Sequence, residues 1–196
     1  MRKLKLQVQM TIDGFVGGPN GEMDWISFDW DNKLTTYVNE LTDSVDTILL
    51  GRKMTDGFIP YWTDIVKKPD DPQYAFARKM IDKPKVVFTK TLDKSKWDNT
   101  EIAKGELAEE ITRLKKTSFP PNGGQIKDII VYGGASFVSS LIKNNLIDEY
   151  HLFINPAAIG KGLSIFTSLN NKLNLKLLKS KTFDSGIVLN YYEPRD

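Results

Sequence analysis

Three short apolar runs in this chain end in turns whose residue types suit an anion. Ile129-Ile130-Val131-Tyr132 runs into Gly133-Gly134, and Ser136 then begins a helical pattern with Phe137, Val138, Leu141 and Ile142 on one face. Two glycines between a buried strand and a helix allow close backbone approach and leave the first helical N–H groups free, which makes an anion site. A plain tight turn is the alternative. Thr47-Ile48-Leu49-Leu50 runs into Gly51-Arg52-Lys53, where a forked guanidinium and an ammonium suit a phosphate; a solvated basic turn is the alternative. Lys85-Val86-Val87-Phe88 ends at Thr89-Lys90. Open α/β sheets bind ligands outside the carboxyl ends of their strands, so the three turns together suggest one phosphate-bearing ligand strung along a sheet edge. No GxGxxG follows the first strand, so the usual dinucleotide fingerprint is missing.

Composition narrows the chemistry. The chain has 196 residues, no cysteine and a single histidine. Thiol nucleophiles, disulfides and thiolate metal sites are excluded together, and one histidine makes a Ser-His-Asp triad or a histidine-based metal site a poor reading. His151 alternates within a strand and reads as structural. Lys and Arg number 27 against 25 acids, a net charge of +2, so nothing points to a nucleic-acid partner. MRKLKLQVQM alternates charged and apolar residues and is not expected to be a signal peptide; no apolar run approaches the ~18 residues of a membrane span. The lack of cysteine suits a reducing cytoplasm, which is the expected location.

The elements that must position these turns are legible from periodicity. Leu4, Leu6, Val8 and Met10 alternate with Lys5, Gln7 and Gln9 as a strand. A Gly-, Asn- and Pro-rich loop follows, from Thr11 to Trp25. Leu34, Tyr37, Val38 and Leu41 mark an amphipathic helix for which Asp29, Asp31 or Asn32 is a possible N-cap. Pro60 to Pro72 reads as an irregular excursion, Tyr74 to Ile81 as a short helix, and Leu107 to Lys116 as a helix with a Glu109–Arg113 pair. Ser118 to Gly124 reads as a loop and Tyr150 to Ile154 as a strand. Leu173 to Leu177 and Ile187 to Tyr192 read as a closing antiparallel pair around Asp184-Ser185-Gly186. Strands alternating with helices predict a mostly parallel sheet covered on both faces.

Beyond the turns, Tyr132-Gly133-Gly134-Ala135-Ser136, Leu146-Ile147-Asp148-Glu149, Asn155-Pro156, Gly160-Lys161-Gly162 and Phe166 resemble the C-terminal half of the dihydrofolate-reductase-like family. The wording is most similar to the branch related to the reductase domain of the bacterial bifunctional riboflavin-biosynthesis enzyme. The resemblance covers most of the chain and is strongest over residues 128–166. It implies an α/β, three-layer αβα dihydrofolate-reductase-like fold with an antiparallel C-terminal edge, in a single domain over residues 1–196. It also implies NADPH as hydride donor and a small heterocyclic substrate, a riboflavin-precursor pyrimidine or a pteridine. Dihydrofolate reductase proper and a non-catalytic nucleotide-binding relative are the alternatives.

The resemblance also assigns residues. Val16 and Gly17, Gly51, Arg52 and Lys53, Thr89 and Lys90, and Gly133 to Phe137 (with Gly134, Ala135 and Ser136 between) become cofactor contacts. Trp25 closes the loop over nicotinamide and substrate. Hydride transfer uses the cofactor's own chemistry and profits from one positioned acid. Asp29 and Asp31 bracket the family's place for it, each with an N-cap as its other role. Relatives carry threonine after the basic pair, where this chain has Met54 and then Thr55. A homodimer is expected from the same resemblance.

Overall fold

The structure is a computed structural model that describes residues 1–117 and 125–195. The loop expected at Ser118 to Gly124 lies outside the described residues. The chain builds β1 (Leu4–Thr11), α1 (Asn32–Asp43), β2 (Val45–Gly51), α2 (Thr55–Val66), α3 (Tyr74–Asp82), β3 (Lys85–Phe88) and β4 (Thr100–Ala103). There follow α4 (Leu107–Lys116), β5 (Asp128–Gly133), α5 (Ala135–Lys143), β6 (Glu149–Asn155), β7 (Leu175–Thr182) and β8 (Val188–Pro194). A short 3-10 turn, Arg52–Met54, joins β2 to α2.

The strands form an eight-stranded sheet in the order β4-β3-β2-β5-β1-β6-β8-β7. The first six strands in that order are mutually parallel; β8 runs antiparallel to β6, and β7 to β8. The chain first winds outward from β1 towards β4, then returns to insert β5 between β2 and β1. β1 therefore pairs with β5 only as far as Leu6↔Val131, yet continues along β6 to Thr11↔Asn155. At the carboxyl edge β1 and β5 part, and that is where sheets of this class leave a crevice.

Both faces are covered, because β1 and β5 are central strands with buried residues on both sides. Leu4, Leu6, Val8, Ile129 and Val131 pack with Val138 and Leu141 of α5 and Ile111 and Leu114 of α4. On the other face Ile48, Leu50 and Ile130 pack with Leu41, Ile59 and Met80 of α1, α2 and α3. Leu34 and Val38 of α1 close a third cluster with Phe153, Phe183 and Leu189.

Two elements differ from the sequence reading. The segment expected to be irregular from Pro60 is helical to Val66, with Pro60 inside α2. Packing overrides the proline: Trp62 lies 6.1 Å from Phe58 within the helix and 5.3 Å from Phe76 of α3. A helix-interior proline costs about 3 kcal/mol, within reach of two half-buried aromatic contacts and the apolar area around them. The charged segment Thr-Glu-Ile-Ala forms β4, an edge strand four residues long that periodicity does not reveal. Arg113 pairs with Glu110 and, across the chain, with Glu101 of β4, not with Glu109.

Candidate active site at the carboxyl edge of the sheet

The ends of β2 and β5 converge on α5. A Cβ at Gly51 would lie 2.9 Å from Phe137 Cβ and 3.2 Å from the Gly134 nitrogen, so only glycine lets β2 approach. Gly133 has φ 155°, and a Cβ there would meet Met54 Sδ at 3.0 Å. The peptide between Gly133 and Gly134 is cis. Gly134 is the N-cap of α5, with φ −79° and ψ 172° and no side-chain cap. A Cβ built on Gly134 meets nothing within 4 Å. The first intrahelical bond here runs from Val138 N–H to the Gly134 carbonyl at 3.0 Å, which leaves the amides of Ala135, Ser136 and Phe137 as the unpaired first turn. No acidic residue stands in that turn. Three N–H groups at the positive end of a helix thus face open space beside a strand end, which fits a phosphate or pyrophosphate. Phe137 stacks on Phe88 at 4.8 Å, drawing the end of β3 onto the same helix.

The basic turn stands next to this cradle. Arg52 donates to Asp56 at 2.7 Å and to Thr55 Oγ1 at 3.3 Å. Asp56 is 59% exposed, so this ion pair is weak and open to exchange for a stronger anion. Thr55 is buried and donates its hydroxyl to the Arg52 carbonyl at 2.6 Å. The one-residue displacement from the family pattern therefore turns that hydroxyl inward, and Met54 packs beside Gly133 instead. Thr89 is also engaged locally, its Oγ1 accepting from the N–H groups of Thr91 and Leu92. Lys53 and Lys90 are exposed. The sequence reading missed Trp97, which lies 6.0 Å from the Arg52 guanidinium and 5.6 Å from Lys96 Nζ.

The long loop after β1 is stapled to the segment after β6. Asp13 accepts from the N–H groups of Ile159 and Gly160 at 3.0 and 2.7 Å. Val16 N–H donates to the Leu163 carbonyl, and Leu163 N–H to the Gly17 carbonyl, both at 2.8 Å. A Cβ at Gly162 would collide with that Gly17 carbonyl. Trp25 is half-buried, its Nε1 donating to the Glu22 carbonyl at 3.3 Å. Ser27 N–H donates to Asn155 Oδ1 at the end of β6, at 3.2 Å.

The two candidate acids are placed differently. Asp29 is exposed. Asp31 is the N-cap of α1: one oxygen accepts from Leu34 N–H at 2.8 Å, the other from Asp184 N–H in the β7–β8 turn at 2.7 Å. The bond from Leu34 above all, helped by that from Asp184, holds its carboxyl below the usual range. A carboxylate so committed is a poor proton donor.

His151 sits in a separate buried chain. Its Nδ1 lies 2.8 Å from the Tyr37 hydroxyl and its Nε2 3.2 Å from Glu149, while its ring stacks on Tyr191 at 4.5 Å. Burial alone would raise the Glu149 carboxyl; hydrogen bonds from His151 and Lys3 and the charge of Lys5 outweigh it and hold that group at about 2. This chain ties α1 to β6. At the opposite, amino end of the sheet an open depression bordered by Arg2, Ser44 and Lys127 contains none of these site residues. No group of three or more His, Cys, Asp or Glu side chains suited to a metal ion occurs among the described residues.

The inserted β5, the six parallel strands and the antiparallel closing pair define a dihydrofolate-reductase-like α/β fold. The chain belongs to the RibD C-terminal domain family, whose model matches residues 2–189. It is 36% identical over 190 residues to the uncharacterized protein YyaP of Bacillus subtilis, covering 95% of this chain and 92% of that one. Over its full length it is similar in structure to a putative riboflavin biosynthesis protein from Shewanella, with TM-score 0.71 and 20% identity, all of that chain being covered. It also matches a Thermotoga maritima diaminohydroxyphosphoribosylaminopyrimidine deaminase/5-amino-6-(5-phosphoribosylamino)uracil reductase, with TM-score 0.68 and 18% identity over 99% of this chain and 57% of that one.

Proposed function

We propose that this protein is an NADPH-dependent reductase of a small heterocycle, a pyrimidine of the riboflavin-precursor type or a pteridine. The observation that carries the reading is the cradle at Gly134: open space beside three free amides of α5, with the Arg52 turn held against the same helix by Gly51. Membership of a family with reductases among its structural neighbours supports the same reading. NADPH, when bound, supplies the hydride. The amides of Ala135, Ser136 and Phe137 hold the pyrophosphate; Arg52 and Lys53, with Lys90 towards the far end, bind the ribose phosphate. Val16 and Gly17, clamped to Leu163, border the nicotinamide, and Trp25 shields the substrate from water. Because Asp31 is committed to the backbone, the proton comes from solvent, from the substrate or from Asp29, the acid left exposed. The protein works as a homodimer in the cytoplasm, without nucleic-acid or membrane partners.

A second reading rests on the same Asp31 bonds: a relative that binds the nucleotide and performs no reduction. Dihydrofolate reductase proper draws no support from the acid position. Anaerobic mixing with NADPH and a panel of pterins and aminopyrimidines, followed at the reduced-nicotinamide absorbance, separates the readings. Substrate-dependent loss of absorbance is the result expected of a reductase. Tight NADPH binding with no oxidation by any ring would favour the binding module.

A further inference from the structure

Gln9 lies on β1 opposite Phe153 of β6, beyond the last residue of β1 that pairs with β5. It borders the crevice where those strands part. Its carboxamide is oriented by its neighbours. Asn155 is fully buried and accepts from Ser27 N–H through Oδ1, which fixes Nδ2 as its donor end. That Nδ2 donates to Gln9 Oε1 at 2.8 Å and to the Phe153 carbonyl at 3.3 Å. Gln9 must therefore present its Nε2 on the other side, and this N–H group is sealed from solvent with no partner among the described residues. Two residues back on the same face Gln7 is 7% exposed, and its Oε1 also has no partner among the described residues. A buried donor left unpaired loses its hydration with nothing in return, so it calls for an explanation.

We propose that Gln9 selects the substrate ring: its Nε2 donates to an oxo group of the heterocycle and disfavours a ring carrying an amino group at that place. The inference rests on the reductase reading for the ring's presence, and adds which substituent the pocket accepts. A site that offers a buried donor rejects a ligand that brings a second donor, because both groups then stay unpaired. The segment from Trp25 to Asp31, joined to Asn155 through Ser27, covers this face and must lift for the ring to enter.

The test compares 6-aminouracil with 6-aminocytosine, in which one oxo group becomes amino and the adjacent ring nitrogen loses its proton, by calorimetric titration with and without NADPH. Wild type should bind the uracil at least about tenfold more tightly. Gln9→Glu keeps an acceptor for Asn155 and turns the free end from donor to acceptor, so it should reverse the preference. Gln9→Met removes the donor and should abolish it. Thermal melting of each variant guards against misfolding, and either folded variant suffices. The same uracil preference in wild type and in a folded variant overturns the role of Gln9 and leaves the reductase reading standing. Failure of wild type to bind either ring while NADPH binds also overturns it. The predicted preferences without any NADPH binding would support Gln9 and overturn the reductase reading.

Discussion

Gly133 and Gly134 are neighbours under different constraints. Gly133 combines φ 155° with a Met54 sulfur 3.0 Å from where its Cβ would sit, whereas Gly134 has an ordinary extended backbone and open space. Gly133→Ala should therefore destabilise the protein by about 1–3 kcal/mol, while Gly134→Ala should lie within about 0.5 kcal/mol of wild type. Urea unfolding of the pair measures this, and equal losses would contradict the geometry. Asp31→Ala should lower the melting temperature by about 2–4 °C through loss of the α1 cap. If the carboxyl is a cap and nothing more, Asp31→Asn should keep most of that stability and leave the pH dependence of turnover unchanged. A shifted acid limb in that profile would return Asp31 to catalysis. The glycine turns and Arg52 were legible because their chemistry is written in local residue types. Gln9 was not: in an alternating strand it reads as the wet side, and only tertiary packing over a central strand seals its amide nitrogen. Trp97 was invisible for a similar reason, since its partner Arg52 lies 45 positions away in sequence, as their numbers show.

Most elements were legible where an apolar period runs uninterrupted, as in β1, α1, α4 and β5. α2 and β4 were hidden. Pro60 is a strong local signal that aromatic packing between α2 and α3 overrides, and β4 is an edge strand too short and too charged to alternate visibly. The joint between α1 and β6 is carried by polar groups, Tyr37 to His151 to Glu149, and it makes a pH prediction. The Glu149 carboxyl is depressed from its ordinary 4.5 to about 2 in the folded protein. A depressed acid contributes stability that is full above the unfolded value and is lost as pH falls through the folded one. Stability should thus fall between pH 4.5 and about 2, and Glu149→Gln should flatten that part of the curve while lowering stability at neutral pH. Melting curves across this range check it; a variant with the wild-type acid limb would show that Glu149 carries none of it.

At the scale of the molecule, a sheet edge, a basic turn and a helix terminus lie together at the proposed nucleotide site, with the proposed ring-recognising crevice beside it. β7 closes the sheet as an edge strand with Leu177 and Leu178 exposed at 51% and 41% among its lysines, the apolar contacts that the proposed homodimer would cover. Light scattering at micromolar concentration should give twice the chain mass, and a monomer mass would contradict that pairing. Arg52→Ala should weaken NADPH by on the order of 1.5–3 kcal/mol and NADH far less, since the lost contact is to the phosphate that distinguishes them. The most direct measurement of the central claim is a fluorescence titration of NADPH into wild type and Gly134→Val, with circular dichroism and melting on both. The branched side chain enters the space left open beside the α5 amides, at a negative φ of −79°. The account predicts saturable binding by wild type, loss of at least about tenfold in the variant, and closely similar melting curves. Wild type that fails to bind NADPH, or a folded Gly134→Val that binds it equally well, would contradict the account.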